Sequence, residues 1–226
     1  MNSQGERLTV DGDPGPKTQA ALEKFDVGIV VNKIPVVDTL PPPSQLTDFF
    51  GAPWIGVDLD LLGRTESDPE LNRRYVPEWA RVGLPGYKTL EGNRHAWCSI
   101  RCTKALRQVG VSVKGLTAGA ASHSKWGRKS PFWFGATLDI QHSGGGRHVC
   151  FFLYWIDEAK GVCATLDGNR GNKFCVAKTT LAKGADRLVS GPRWGAEVPD
   201  GRLVTRQEVL AQYPFLVPGN VGGGTR

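Results

Sequence analysis

Cys98 stands at the head of the clearest helical pattern in the chain. Cys98, Cys102, Ala105, Leu106 and Val109 recur at i, i+4, i+7, i+8 and i+11, and Gly110 follows as a closing residue, so the spacing predicts a helix over 95–110. A thiol works as a nucleophile only as the thiolate, and the N–H groups and dipole at a helix N-terminus favour that anion. Cys102 lies one turn further in, on the same apolar stripe, and reads as core. A free cysteine is commonly just a small buried hydrophobe, and the histidines are what favour chemistry at Cys98. Of His95, His123, His142 and His148, the last follows Ser143-Gly144-Gly145-Gly146-Arg147 and opens a run of large apolar residues. A glycine-rich approach lets a substrate come close to the backbone, although a strand-edge histidine in solvent is the plainer alternative. If the following hairpin turns between Glu158 and Ala159, His148 lies opposite Asn169, with Asp167 diagonal on the same face. Such neighbours are about 5 and 7–8 Å apart, close enough to orient an imidazole through its second nitrogen. Asp167-Gly168-Asn169 also suits a plain turn. Both Asp167 and Asn169 remain candidates for the orienting group.

The elements that must hold these residues follow from pattern. Pro69–Val82 reads as a helix with Trp79 on its apolar side, and Leu46–Phe50 as a shorter one. Val149, Phe151, Leu153 and Trp155 alternate with His148, Cys150, Phe152 and Tyr154, a two-residue period that marks a strand. Asp157–Lys160 reads as its turn and Val162–Asn169 as the return strand. Lys173–Thr179 and Arg187–Trp194 read as further strands. Helices first and an antiparallel meander after them give an α+β domain. Near the N-terminus, Asp11-Gly12 and Pro14-Gly15 are turn dipeptides, and Pro16 then starts a short amphipathic helix through Ala20, Ala21, Leu22 and Phe25. Pro41-Pro42-Pro43 marks residues 28–45 as a linker, and Gly222-Gly223-Gly224 marks a disordered tail.

Composition sets limits. Length and an apolar share of 40% suit a globular chain with one good-sized domain, and no stretch approaches the roughly 20 apolar residues of a membrane span. The net charge of +6 comes from scattered Lys and Arg, so a nucleic-acid partner is not expected. Met1–Glu6 lacks the basic start and apolar run of a secretory signal. Synthesis in a cytosol is therefore expected. Five cysteines, an odd number with no CxxC pair, argue for free thiols. A zinc site from Cys98, His148 and Cys150 is conceivable, but a tetrahedral site needs another ligand that the spacing does not announce. No metal and no cofactor are expected. His123 and Trp126 fit a short helix facing the core, and His95 reads as groove-lining or structural.

Ala96-Trp97-Cys98-Ser99, the glycine-rich lead into His148-Val149, and Leu166-Asp167-Gly168-Asn169-Arg170 resemble the CHAP and NlpC/P60 group of peptidoglycan-cleaving amidases and endopeptidases. The likeness spans roughly residues 70–195. It implies a papain-like core with N-terminal helices packed on an antiparallel sheet, and a site of Cys98, His148 and either Asp167 or Asn169. Trp97, Arg147 and His95, close to these residues in the sequence, are the candidates for lining the substrate groove. Arg147 and Cys150 depart from the group's pattern, which favours small residues there. Val10-Asp11-Gly12 and Gly15-Pro16-Lys17-Thr18 resemble the second half of a small peptidoglycan-binding module. The implied layout is a truncated wall-binding segment at 1–27, the linker at 28–45, a cysteine hydrolase domain at 46–195 and a C-terminal extension at 196–226. The resemblance further implies a monomeric, endolysin-like enzyme of a bacterial virus, made in the host cytoplasm and acting on the cell wall. An interbacterial amidase toxin with an immunity partner, and a non-catalytic wall-binding or virion protein on the same scaffold, are the alternatives. Amidase and endopeptidase activity are not distinguished.

Overall fold

The computed structural model describes residues 49–91, 96–181 and 186–219. The N-terminal wall-binding motif, the proline-rich linker, His95 and the glycine-rich tail lie outside them. The observed class is α+β, with an antiparallel sheet and few helices.

Three short 3₁₀ turns, Phe49–Gly51, Pro53–Gly56 and Leu59–Leu61, precede the first helix and bury Phe49, Trp54, Ile55 and Leu61. Helix α1 is Pro69–Arg81. Asp68 caps it, its carboxylate accepting from the N–H groups of Glu70 and Leu71 at 2.9 and 3.0 Å, and Pro69 occupies the first turn, where its missing donor costs nothing. Leu71, Tyr75 and Trp79, four residues apart, form its buried stripe. Helix α2 is Cys98–Gln108, and Gly110, at φ 83°, ends it as expected. Its first nine residues are all buried.

Seven strands follow: β1 (Arg128–Lys129), β2 (Thr137–Gln141), β3 (Arg147–Asp157), β4 (Val162–Arg170), β5 (Lys173–Thr180), β6 (Arg187–Leu188) and β7 (Arg193–Trp194). Their order is β1-β7-β2-β3-β4-β5, with β6 also on β2. The strand expected over Arg187–Trp194 is two short ones, because β6 pairs with Ile140 and Gln141 while β7 pairs with β1 and with Thr137. The sheet is covered on both faces. Val149, Phe151, Leu166 and Val176 join the main core with α1 and α2, whereas Leu138, Ile140, Cys150, Phe152 and Cys163 pack in a second cluster with Phe132 and Trp155.

The β3–β4 hairpin turns across 158–161, later in the chain than the simple count assumes. Two register slips, between Phe152 and Tyr154 and between Trp155 and Asp157, place an extra residue on β3 each time, and together they cancel that offset. Cys150 therefore pairs with Asp167, as the count requires. Residues beyond 195 are not an appended extension. Helix α3 (Arg206–Gln212) and the turn after it bury Val209, Tyr213, Phe215 and Leu216 in the main core; Tyr213 stacks on Phe49, and the Tyr154 hydroxyl donates to Leu216 O at 2.9 Å.

Candidate active site

The helix that carries Cys98 starts without a side-chain cap. Its first turn is fixed instead by Ser99, whose hydroxyl donates to Thr117 O at 2.6 Å and therefore accepts from His123 Nε2 at 3.0 Å. His123 is fully buried, and desolvation pushes its pKa down to about 3, which keeps the ring neutral. It is a core histidine, as its setting near Trp126 led one to expect.

Further along, α2 lies almost against β4. A Cβ at Gly168 would stand 2.7 Å from Arg101 Cβ and 2.9 Å from the Trp97 ring, so only glycine allows this approach. Asp167-Gly168-Asn169 is thus strand, not a free turn, and the glycine is what brings the helix start down to the strand ends. The β3–β4 ladder stops at the Cys150–Asp167 pair, and Asn169 leaves it at φ 65°. His148 and Val149 lie just past that point and meet Cys98.

The side chains form a relay. His148 Nε2 hydrogen-bonds Asp167 Oδ1 at 2.6 Å, both groups being buried, and the imidazole is also the hydrogen-bond partner of the Cys98 thiol. With Nε2 committed to Asp167, Nδ1 is the nitrogen left for sulfur. Burial acts to lower the His148 pKa, but the carboxylate of Asp167 and the sulfur of Cys98 raise it to about 10. Burial acts to raise the pKa of Cys98, but the hydrogen bond and charge of His148, helped by the N–H groups of Val149 and Ser99, hold it below the usual thiol value. Asp167 is held low, against its burial, by His148 and Arg170. The other four thiols all go the other way: desolvation raises Cys102 and Cys150 far up, and Cys163 and Cys175 to about 12. Of the five thiols Cys98 alone is shifted toward the thiolate, and the imidazole of His148 is the partner that shifts it.

Neither a family model, nor a curated protein, nor a solved structure is similar to this chain. The site must be judged on its own chemistry. A thiolate–imidazolium pair with a carboxylate behind the ring has the parts for nucleophilic attack on an acyl carbon, namely a nucleophile, its base and a group that fixes the tautomer.

The remaining candidates fall out differently. Asn169 does not reach His148; its Oδ1 is buried without a hydrogen bond, and Asp167 alone takes the ring. Trp97 is buried and packs against Tyr75, forming the wall on which α2 begins. The Arg147 guanidinium grips the buried carboxylate of Asp139, its Nε 3.0 Å from Oδ1, and is not free to hold substrate. His148, Cys150 and Asp167 present ligand atoms within 4.8 Å of one another, in place of the Cys98, His148 and Cys150 trio. That set suits a metal poorly, since Nε2 and Oδ1 already bond each other and burial keeps the Cys150 thiol protonated.

Three features escaped the reading of the sequence. Strand β2 is one, although Leu138 and Ile140 alternating with Thr137, Asp139 and Gln141 was a legible signal. The role of Gly168 as a contact point was hidden behind its turn propensity. The third is His142, whose ring stacks on His148 with centroids 5.7 Å apart.

Proposed function

We propose that the chain is a cysteine-dependent peptidoglycan hydrolase with a papain-like core, cleaving an amide of the wall peptide through an acyl-enzyme. The observation that carries this reading is the Cys98–His148–Asp167 relay, in which the nucleophile and its base are hydrogen-bonded and oppositely shifted in pKa. The choice of peptidoglycan rests on the resemblance of the Trp97-Cys98, His148-Val149 and Asp167–Arg170 segments to the CHAP and NlpC/P60 group.

In the proposed reaction the Cys98 thiolate adds to the amide carbonyl, and the oxyanion is met by backbone N–H groups at the start of α2, that of Cys98 foremost. The imidazolium of His148 gives its proton to the departing amine, the C–N bond breaks and a thioester remains. Neutral His148 then takes a proton from water, the hydroxide adds to the thioester, and the carboxylic acid leaves as sulfur regains its negative charge and the imidazole its positive one. Asp167 carries no proton in this cycle; it keeps the ring turned and favours its charged form.

The test is digestion of purified bacterial wall by the full chain, with mass spectrometry of the soluble products. New amino and carboxyl ends in the peptide part, absent with Cys98→Ala, are the expected result and also identify the bond. Solubilisation by Cys98→Ala at the parent rate would overturn the mechanism, and an intact wall with a reactive Cys98 would overturn the substrate.

A further inference from the structure

We infer that His142, anchored by Asp186, is a positioning residue that holds the His148 ring in register between Cys98 and Asp167; this rests on the reading of those three groups as the catalytic site. His148 must keep two hydrogen bonds at opposite ends of one ring, to Asp167 and to Cys98. A swing about χ2 breaks both, and aromatic χ2 torsions are broad and softly restrained unless packing fixes them. His148 pairs with Ile140 on β2, which makes His142 its diagonal neighbour on the same face. The two rings lie 5.7 Å apart at 29°, so His142 closes the side of His148 toward β2.

His142 is itself pinned. Its Nδ1 is 3.0 Å from Asp186 Oδ1, and its backbone belongs to the tight turn between β2 and β3, where its N–H donates to Gly146 O at 3.2 Å and its carbonyl accepts from Gly145 at 3.1 Å. Gly145 and Gly146, at φ 90° and 80°, make that turn possible. Asp186 leads directly into β6, which is paired to Ile140 and Gln141, so anchor and anchored ring ride on two paired strands. The proposed reaction moves no proton through His142. Its contribution is the contact of one ring face with another.

The experiment is the rate of Cys98 carbamidomethylation by iodoacetamide at pH 6, followed by peptide mass spectrometry, on folded variants checked by thermal melting. His142→Ala removes the ring and slows labelling by about tenfold, with wall hydrolysis falling in step, as loss of orientation does. His142→Gln keeps an amide donor for Asp186 but no ring, and is equally slow. His142→Phe restores a ring face and recovers labelling to within about twofold of the parent. Parent-like labelling of His142→Ala or His142→Gln overturns the inference, as does a folded His142→Phe as slow as His142→Ala. If His142→Phe does not fold, the other two variants decide. A parent chain whose Cys98 labels no faster than its other thiols defeats the proposed catalytic site itself, a separate outcome.

Discussion

At the scale of single residues, the site turns on an exchange of protonation states. Asp167 behind the ring and sulfur in front of it raise the His148 pKa to about 10, and the imidazole in turn holds that of Cys98 below the usual thiol value. The pair exists from the lowered pKa of Cys98 up to about 10, where His148 gives up its proton. Turnover should therefore rise on the acid side with Cys98 ionisation and fall above about pH 10. Asp167→Asn removes the charge that raises His148: the alkaline limb moves down, the acid limb moves up, and the rate at the optimum drops by roughly 10²–10⁴. A pH–rate profile of this variant unchanged from the parent would show that the carboxylate does not tune the ring. The helix spacing and the histidine-led strand were enough to mark Cys98 and His148. The choice between Asp167 and Asn169 was not legible, because it depends on where β4 leaves the ladder, and that is set by a left-handed residue and two bulges.

The elements meet at Gly168. The start of α2 reaches the ends of β3 and β4 only because nothing projects from that position toward Trp97 and Arg101. Gly168→Ala should cost about 1–3 kcal/mol through overpacking. It should also open the Cys98–His148 contact, so that loss of Cys98 reactivity exceeds loss of melting temperature. A variant with lower melting temperature and parent-like Cys98 labelling would mean the helix can shift without disturbing the pair. Period-two and helical patterns located α1, α2, β3, β4 and β5 well. They did not reveal how closely two elements pack, since a glycine at a close approach and a glycine in a turn look the same in a sequence. Arg147, a groove candidate from its place before His148, is instead paired with Asp139 on β2, a strand the patterns did not reveal.

For the whole molecule, the core extends past the expected domain end. Val209, Tyr213, Phe215 and Leu216 are buried in the main core, where Tyr213 stacks on Phe49 at the other end of the described chain and Leu216 O accepts from Tyr154 on β3. Burial of each such side chain is worth about 1.5–3 kcal/mol, so together they match a large part of the roughly 5–15 kcal/mol by which domains are stable. A chain ended at Arg202 should show no cooperative thermal transition by calorimetry; a transition within a few degrees of the parent's would mean that 203–219 only decorates the core. The expected domain end follows the extent of the resemblance, which stops near Trp194, and long-range packing is what a local pattern cannot carry.

The most direct measurement is competitive alkylation of the folded parent chain by a small reagent such as iodoacetamide at pH 6, with all five cysteines quantified by peptide mass spectrometry. The imidazole beside Cys98 favours its thiolate, while burial pushes the other four thiols up and keeps them protonated there. The expected result is fast modification of Cys98, lost in His148→Ala, with Cys102, Cys150, Cys163 and Cys175 essentially untouched. Slow and equal modification of all five, unchanged by His148→Ala, would contradict the pairing of Cys98 with His148.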